Sequence, residues 1–534
     1  MIKLRIDAAD LAGRWFYHDG SWVSSESRIT PFDHASIETF AIELADHRLI
    51  VVREHPASRT PRGASLHLAP DADPAKVVAE LIAWPLNVNV VLLPKRGDRV
   101  EIHTGRLATA PLFLMRAGSR LLGDWDIADL YPHLPFVLDP GRVAFSLCHF
   151  GLPYSRSTIF PALMQLTERG VASWCGPAGT LEVRYPQPSL RAMPRLLADD
   201  ADVTGAFETL LGAAVRGAVN GGLVACELSG GLDSACATIA ASRALGRHRV
   251  RSFGLLLPGR QKAFQQARRA ELADRAGVYD MPVDAEQLGP FSRNDLAEVD
   301  PAIPWGEYYR EAFLALGQAI AGAGCDIVVR GIGGDEISEL LAGEMADEPS
   351  APVEPASDPF PAYLTDAARR AYAAIEDLDE APAGFAAHSF YQAAAASAPV
   401  YLRRGIWPIY PYGTPEVVDF CRSLPTGWRA DRTLQRTLLR QAGLSPEVAR
   451  PAIPESFLPL RDQMFHGRAA AYVRGIFRKP LLAELGLVDA ARLNDAFELA
   501  VRDAAAPERA HLLEAATMET VLRTWRRQSI PLGP

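Results

Sequence analysis

An α+β layer domain, followed by an α/β domain with a mainly parallel sheet and a helical carboxy-terminal part, is the architecture that this 534-residue sequence predicts. Three observations predict it. Up to about residue 190 the chain is written in short alternating or apolar runs bounded by Gly, Pro and Asp, the punctuation of strands. From about residue 203 such runs alternate with long Ala/Leu/Arg helical stretches, the rhythm of βαβ units. Beyond residue 365 the pattern is nearly all helical.

Taken in order, the strand candidates of the first part are "HRLIVVREH", "ASLHLAP", "NVNVVLLP", "DRVEIHTG", "PLFLMRAGSRLLGDW" and "GTLEVRYP", with "PAKVVAELIAW" as the one helical segment among them. The Pro-rich "YPQPSLRAMPRLLADDAD" reads as a linker and sets the expected domains at 1–190 and 200–534. After it come the helix "VTGAFETLLGAAVRGAVN", the strand "GLVACELS", the helix "LDSACATIAASRALG", the strand "VRSFGLLL" and the helix "QQARRAELADRAG". A further helix, "YYREAFLALGQAIAGAG", leads into the buried strand "CDIVVRG". The acidic, Pro-rich stretch 343–361, "GEMADEPSAPVEPASDPFP", has no periodicity and predicts a mobile loop, or beside a site a lid.

Composition narrows the function classes. The content of 48% hydrophobic residues describes packed domains, and a prior of roughly 100–200 residues per domain suggests two to four of them. Net charge is −9 and Lys/Arg blocks are absent, so nucleic acid is not an expected partner. Six cysteines, Cys148, Cys175, Cys226, Cys236, Cys325 and Cys421, are scattered without metal or disulfide spacing, which fits a reducing compartment. No apolar targeting region and no run of about 18 apolar residues occurs, so a cytoplasmic protein without a membrane partner is expected.

The chemistry concentrates in "CELSGGLDSACATIA". A strand ends at Ser229, Gly230 and Gly231 turn the chain, and a helix starts around Leu232 to Ser234. Glycines let several N–H groups approach a ligand, and a helix start adds partial positive charge, so this is an anion site. The Ser229 and Ser234 hydroxyls add donors. Asp233 would repel a phosphate unless a cation lay between them, which predicts Mg²⁺ bridging Asp233 and a polyphosphate. The bland alternative is a Ser/Asp helix cap. A second stretch, "CDIVVRGIGGDEISEL", repeats the design with Gly331, Gly333 and Gly334 before Asp335 and Glu336. Two strand ends of a parallel sheet that share a crevice make two acidic arms around one magnesium–polyphosphate.

At these motifs the sequence resembles the asparagine synthetase superfamily of ATP-pyrophosphatases: "SGGLDS" matches its pyrophosphate loop and "GIGGDE" is similar to its second acidic loop. Weaker resemblance covers Thr104 to Leu134, Trp407 to Pro425 and the following "TLQRTLLRQAGLSPEVARPAIPESF". The resemblance implies a degenerate glutaminase-like sandwich ahead of a synthetase domain. It also implies ATP and Mg²⁺, with Leu228, Ser229, Gly230, Gly231, Asp233, Ser234, Gly331 and Gly333 at the ATP and pyrophosphate, and Asp233 and Asp335 at the metal. Asp233, Asp335, Glu336 and Arg436 are the catalytic candidates it implies. An acyl-adenylate would be captured by a nitrogen nucleophile, giving an amide, AMP and pyrophosphate.

Departures from the family pattern choose among its branches. Position 2 is Ile2 where glutamine-dependent members carry a nucleophilic Cys, so the nitrogen is expected from an amine on a substrate. Ile332 stands where the β-lactam-forming branch has a tyrosine. The nearest character is a lasso-peptide cyclase, or macrolactam synthetase, joining a peptide's N-terminal amine to an Asp or Glu side chain. The partners such an enzyme implies are a precursor peptide, a leader peptidase and a leader-recognition protein. Ala452 replaces the family's lysine two residues after Arg450, so Arg436, Arg440 or Arg450 is asked to offset the charge of leaving pyrophosphate. The alternatives are a small-molecule amide or asparagine synthetase using a free amine or ammonia, and a silent nucleotide- or peptide-binding homologue. Glu307, Glu336 and Glu339 are general-base candidates.

Three further segments are weighed. "WGEYYREAF" reads as a helix start buried by its aromatics, or as the wall of a peptide pocket. "YLRRGIWPIYPYG" reads as a peptide wall or an aromatic interdomain seam. "SLCHFGLPYSRSTIF" reads as strand, which points Cys148 and His149 to opposite faces and makes them structural.

Overall fold

The computed structural model describes the chain except for residues 56–59, 70, 177–178, 189–194, 220, 294–299, 341–359 and 529–534. The proposed lid at 343–361 lies almost wholly outside the described residues. So does the middle of the linker.

Among the described residues fourteen strands build the first part: β1 (Ile2–Asp7), β2 (Phe16–His18), β3 (Ser21–Ser24), β4 (Ser27–Pro31), β5 (Ile37–Glu43), β6 (His47–Glu54), β7 (Ala64–His67), β8 (Val88–Pro94), β9 (Arg99–Thr104), β10 (Phe113–Ala117), β11 (Arg120–Asp124), β12 (Leu163–Gln165), β13 (Val171–Cys175) and β14 (Thr180–Arg184). They form two seven-stranded sheets, in the orders β12-β10-β11-β1-β4-β3-β2 and β14-β13-β9-β8-β6-β5-β7. Period-two alternation sorts their side chains into layers. Leu114, Ile50 and Val52 enter the core between the sheets, whereas Phe113 and Met115, and on the other sheet Leu49 and Val51, face outward. Helix Pro74–Ile82 covers the outer face of the second sheet through Val78. The outer face of the first sheet is covered by helix Pro140–His149 together with the carboxy-terminal helices, whose Met464, Phe477 and Trp525 join Phe113 and Met115.

That second helix corrects the sequence reading, which gave one helix here and placed Cys148 and His149 on a strand. Asp139 caps Arg142 N at 3.0 Å, Pro140 opens the first turn, and Phe150 ends the helix at φ 59°. The conclusion about the pair stands for a different reason, since consecutive helical residues diverge by about 100°.

A third sheet forms the α/β part: β15 (Val224–Glu227), β16 (Val250–Leu256), β17 (Tyr279–Asp284), β18 (Ile327–Val329) and β19 (Trp407–Ile409), all parallel, in the order β17-β16-β15-β18-β19. Val224, Cys226, Ile327 and Val329 face helices Val203–Ala218 and Leu232–Leu245. Ala225 and Val328 face helix Arg310–Gly322 and Val400 of helix His388–Leu402. Helices therefore lie on both faces. The three-residue strand β19 interrupts a region expected to be helical. Winding runs outward from β15 through β16 to β17 on one side and through β18 to β19 on the other. The switch point of this topology is the gap between β15 and β18, where ligands of open parallel sheets bind.

The two parts share one continuous apolar core, to which Trp22 and Ile37 of the first part and Ala218 and Trp407 of the second belong. Trp407 lies 5.7 Å from the Phe32 ring, and His34 Nε2 is 2.9 Å from the Asp326 carbonyl. "YLRRGIWPIYPYG" is thus the aromatic seam between the parts, with Tyr401, Tyr410 and Tyr412 fully buried. Ile2 is buried within β1, paired with Pro31. No helix among the described residues is long and apolar enough to cross a membrane.

Candidate active site

The two glycine motifs leave the carboxyl ends of β15 and β18, adjacent strands in register from Val224↔Ile327 to Cys226↔Val329. After β15, Gly230 turns at φ +100°, and helix Leu232–Leu245 starts with no side-chain cap. Its first N–H groups therefore meet no capping side chain, and the cap reading of the motif is set aside. Ser229 and Ser234 span the turn with hydroxyls 3.0 Å apart, Gly231 N–H donates to Ser229 Oγ at 3.1 Å, and Gln265 Nε2 holds the Ser229 carbonyl at 2.8 Å. Buried Tyr412 donates to the Asp233 carbonyl at 2.8 Å and fixes the helix start from beneath. Leu228 is fully buried and anchors the loop in the core.

The second loop lies directly against the first. A Cβ at Gly331 would come within 2.8 Å of Ser234 N, and one at Gly334 within 2.2 Å of Asp233 Cγ. Only bare backbone fits between the arms, which is the physical need behind these glycines. Gly333 makes the turn at φ +99°. Glu336, in the same turn, accepts from Ser389 Oγ at 3.0 Å.

Asp233 and Asp335 are brought together, as the motifs predict, and a guanidinium spans them. Arg432 Nη2 bonds the Asp233 carboxylate and lies 2.7 Å from Asp335 Oδ1. Asp233 is 17% exposed and Asp335 73% exposed, so one carboxylate of the pair lies inside the protein and one at its surface. Burial pushes the Asp233 carboxyl up to about 6, against the pull of Arg432. Its Oδ1 is buried with no hydrogen-bond partner among the described residues, an acceptor left open in a site that already attracts a cation. Arg432 starts helix Thr433–Gln441 from φ +55°, and Asp431 before it is at φ +53°.

The other predicted basic residues sit one layer out. Arg436 donates to the Asp431 carbonyl at 2.7 Å and to the Ala449 carbonyl, Arg450 pairs with Asp431, and Arg440 is exposed beside Thr437. None of the three contacts Asp233 or Asp335. Arg432, which does, was not singled out from the sequence. Glu455 was also missed: its carboxylate lies 2.7 Å from a Cβ built on Gly230, and buried Arg268 holds it at 2.7 Å.

Two carboxylates fit a magnesium ion whose remaining ligands are water and phosphate oxygens, the usual pattern for nucleotide sites. Among the described residues no group of three or more His, Cys, Asp and Glu gathers to hold a metal by protein ligands alone. A cavity of about 430 Å³ opens on the clamp, lined by Asp335, Glu336, Ser389 and Arg432.

No family model matches the sequence. No curated protein matches it either. Among solved structures the chain is similar to glutamine-dependent NAD⁺ synthetase from Acinetobacter baumannii in complex with ADP. The likeness has 16% identity and a TM-score of 0.19, and covers 36% of this chain and 41% of that one.

Proposed function

We propose that this protein is an ATP- and Mg²⁺-dependent amide-forming ligase that activates a carboxylate as an acyl-adenylate and releases pyrophosphate. The observation that carries the reading is the pair of acids, Asp233 and Asp335, facing one cation at the switch point beside an uncapped helix start. A structural ion pair needs neither the glycine loops nor the open N–H groups. A polyphosphate with its cation needs both.

In this reading Gly230 and the first turn of helix Leu232–Leu245 would hold phosphate oxygens through backbone N–H groups, and the Gly231 N–H and the Ser229 and Ser234 hydroxyls would exchange their bonds within the turn for phosphate. Asp233 and Asp335 would hold the metal, which would supply charge neutralisation at the phosphates. Arg432, which bridges the two carboxylates, would be the basic group nearest the phosphate oxygens. That gives the chain a cation for the departing pyrophosphate although Ala452 occupies the lysine position. Arg436 and Arg450 fix Asp431, the residue before Arg432, and so position it.

The finer reading is a macrolactam synthetase of the lasso-peptide cyclase kind, which rests on the sequence resemblance and on Ile332. AMP and pyrophosphate release from ATP, measured with linear peptides and with aspartate plus ammonia, tests it. Release dependent on peptide supports the cyclase. Release with aspartate and ammonia moves the reading to asparagine synthesis.

A further inference from the structure

A second cavity, of about 480 Å³, lies between the two parts of the molecule. Its volume is in the range of about 300–1,000 Å³ that encloses small ligands. Phe145 and Phe150 from helix Pro140–His149 and its cap form one wall, Trp305 and Tyr308 another, and Gln392, Ala393 and Ala396 of helix His388–Leu402 the floor. The walls are fixed. Gln392 Nε2 holds the Leu152 carbonyl at 2.6 Å, and the Tyr308 hydroxyl lies 2.6 Å from buried Glu514 and 3.0 Å from the Phe150 carbonyl.

Helix His388–Leu402 joins this cavity to the acidic clamp. Ser389, Gln392, Ala393 and Ala396 share a face, because residues three, four and seven apart on a helix are neighbours. Ser389 lines the clamp cavity and bonds Glu336, while the other three line the aromatic cavity one to two turns further on. At 1.5 Å per residue the two lie about 4.5–10.5 Å apart along the helix.

Among the described residues one acid, Glu307, lines the aromatic cavity. Its Oε1 accepts from Tyr309 N–H at 3.1 Å. The nearby guanidinium of Arg330 is spent on Glu227, at 2.9 Å, and lies over the Tyr401 ring. A carboxyl among aromatic rings, with the neighbouring cation committed elsewhere, is complementary to a ligand ammonium, which the rings also attract through their faces. Burial raises the Glu307 carboxyl above its ordinary range, the cost that such a partner would offset.

We infer that this cavity binds the amine substrate: a primary ammonium at Glu307, carried by an aromatic or apolar group lying against Trp305, Tyr308 and Phe150. The inference rests on the proposed ligase reading for its place in the reaction, but the binding itself does not. "WGEYYREAF" then supplies a substrate wall as well as a helix start.

Calorimetric titration of the full chain without nucleotide tests it, with phenethylamine, phenylalanyl-glycyl-glycinamide and its N-acetylated form as probes. The free-amine probes are expected to bind, and the acetylated one about ten-fold or more weaker. Glu307→Gln is expected to remove that preference, and Ala396→Phe, which fills the cavity, to remove binding while Mg·ATP binding persists. Tighter binding of the tripeptide than of phenethylamine identifies a peptide amino terminus as the source of the amine, and the reverse identifies a free amine. Equal binding of acetylated and free peptide, a preference retained in Glu307→Gln, or no binding of any probe would overturn the inference. If the amines bind as described but Mg·ATP does not bind, the ligase reading fails and the pocket stands.

Discussion

Arg432→Ala tests what holds the two carboxylates together. The guanidinium contributes one contact to a carboxylate that is 17% exposed and one, of 2.7 Å, to a carboxylate that is 73% exposed. The exposed contact is worth at most about 1 kcal/mol. Breaking a buried pair costs about 3–5 kcal/mol, and partial exposure of Asp233 places its loss at the lower end. The expected destabilisation at pH 8, where Asp233 is charged, is therefore about 2–4 kcal/mol in urea unfolding. Magnesium should reverse part of it. At ten times the dissociation constant a ligand of the folded state stabilises by about 1.4 kcal/mol. The variant should gain nearly all of that, and the wild type less, because there the ion must displace the guanidinium. Activity measured as pyrophosphate release should fall about 100-fold, the scale for removing one charge-stabilising donor. Equal stabilisation of both proteins by Mg²⁺ would refute the shared cation site.

Three other outcomes follow from the same structure. Gly334→Ala puts a methyl 2.2 Å from Asp233 Cγ and should lower Mg·ATP affinity at least about ten-fold in calorimetry while circular dichroism stays native. Trp407→Ala opens the seam between the parts, where Trp407 is 1% exposed, and should cost about 3–5 kcal/mol in chemical unfolding. Glu168→Gln probes a buried acid that burial pushes up to about 7. The folded state holds its proton through the window from about 4.5 to 7 while the unfolded state releases it, so this group makes stability fall as pH rises through that window. The Gln variant lacks that fall, so its stability relative to wild type should increase from pH 5 to pH 8, by an amount on the order of 3 kcal/mol. Unfolding midpoints at the two pH values check the sign.

How much was legible depends on whether a local rule applied. Asp233 and Asp335 could be paired from sequence because strand, glycine turn and helix start each leave a local signature, and parallel strands bring such ends together. Arg432 could not. In "DRTLQRTLLR" every arginine looks alike, and the two left-handed residues at Asp431 and Arg432 that aim it carry no Gly or Asn to announce them. Cys148 and His149, at the end of helix Pro140–His149, read as strand in the sequence because a short apolar run serves either structure. The signal of the helix was the capping Asp139-Pro140 pair. Strand β19 is three residues long and gains its identity only by pairing with β18. The aromatics of "WGEYYREAF" showed that something is enclosed there. That Trp305 and Tyr308 line a cavity opposite helix His388–Leu402 is a tertiary fact.

The most direct measurement is product analysis of ATP turnover with Mg²⁺ and an amine-bearing peptide substrate, comparing the wild type with Asp233→Ala. The wild type is expected to give equimolar AMP and pyrophosphate and the variant neither. Release of ADP and phosphate, or undiminished pyrophosphate from Asp233→Ala, would contradict it.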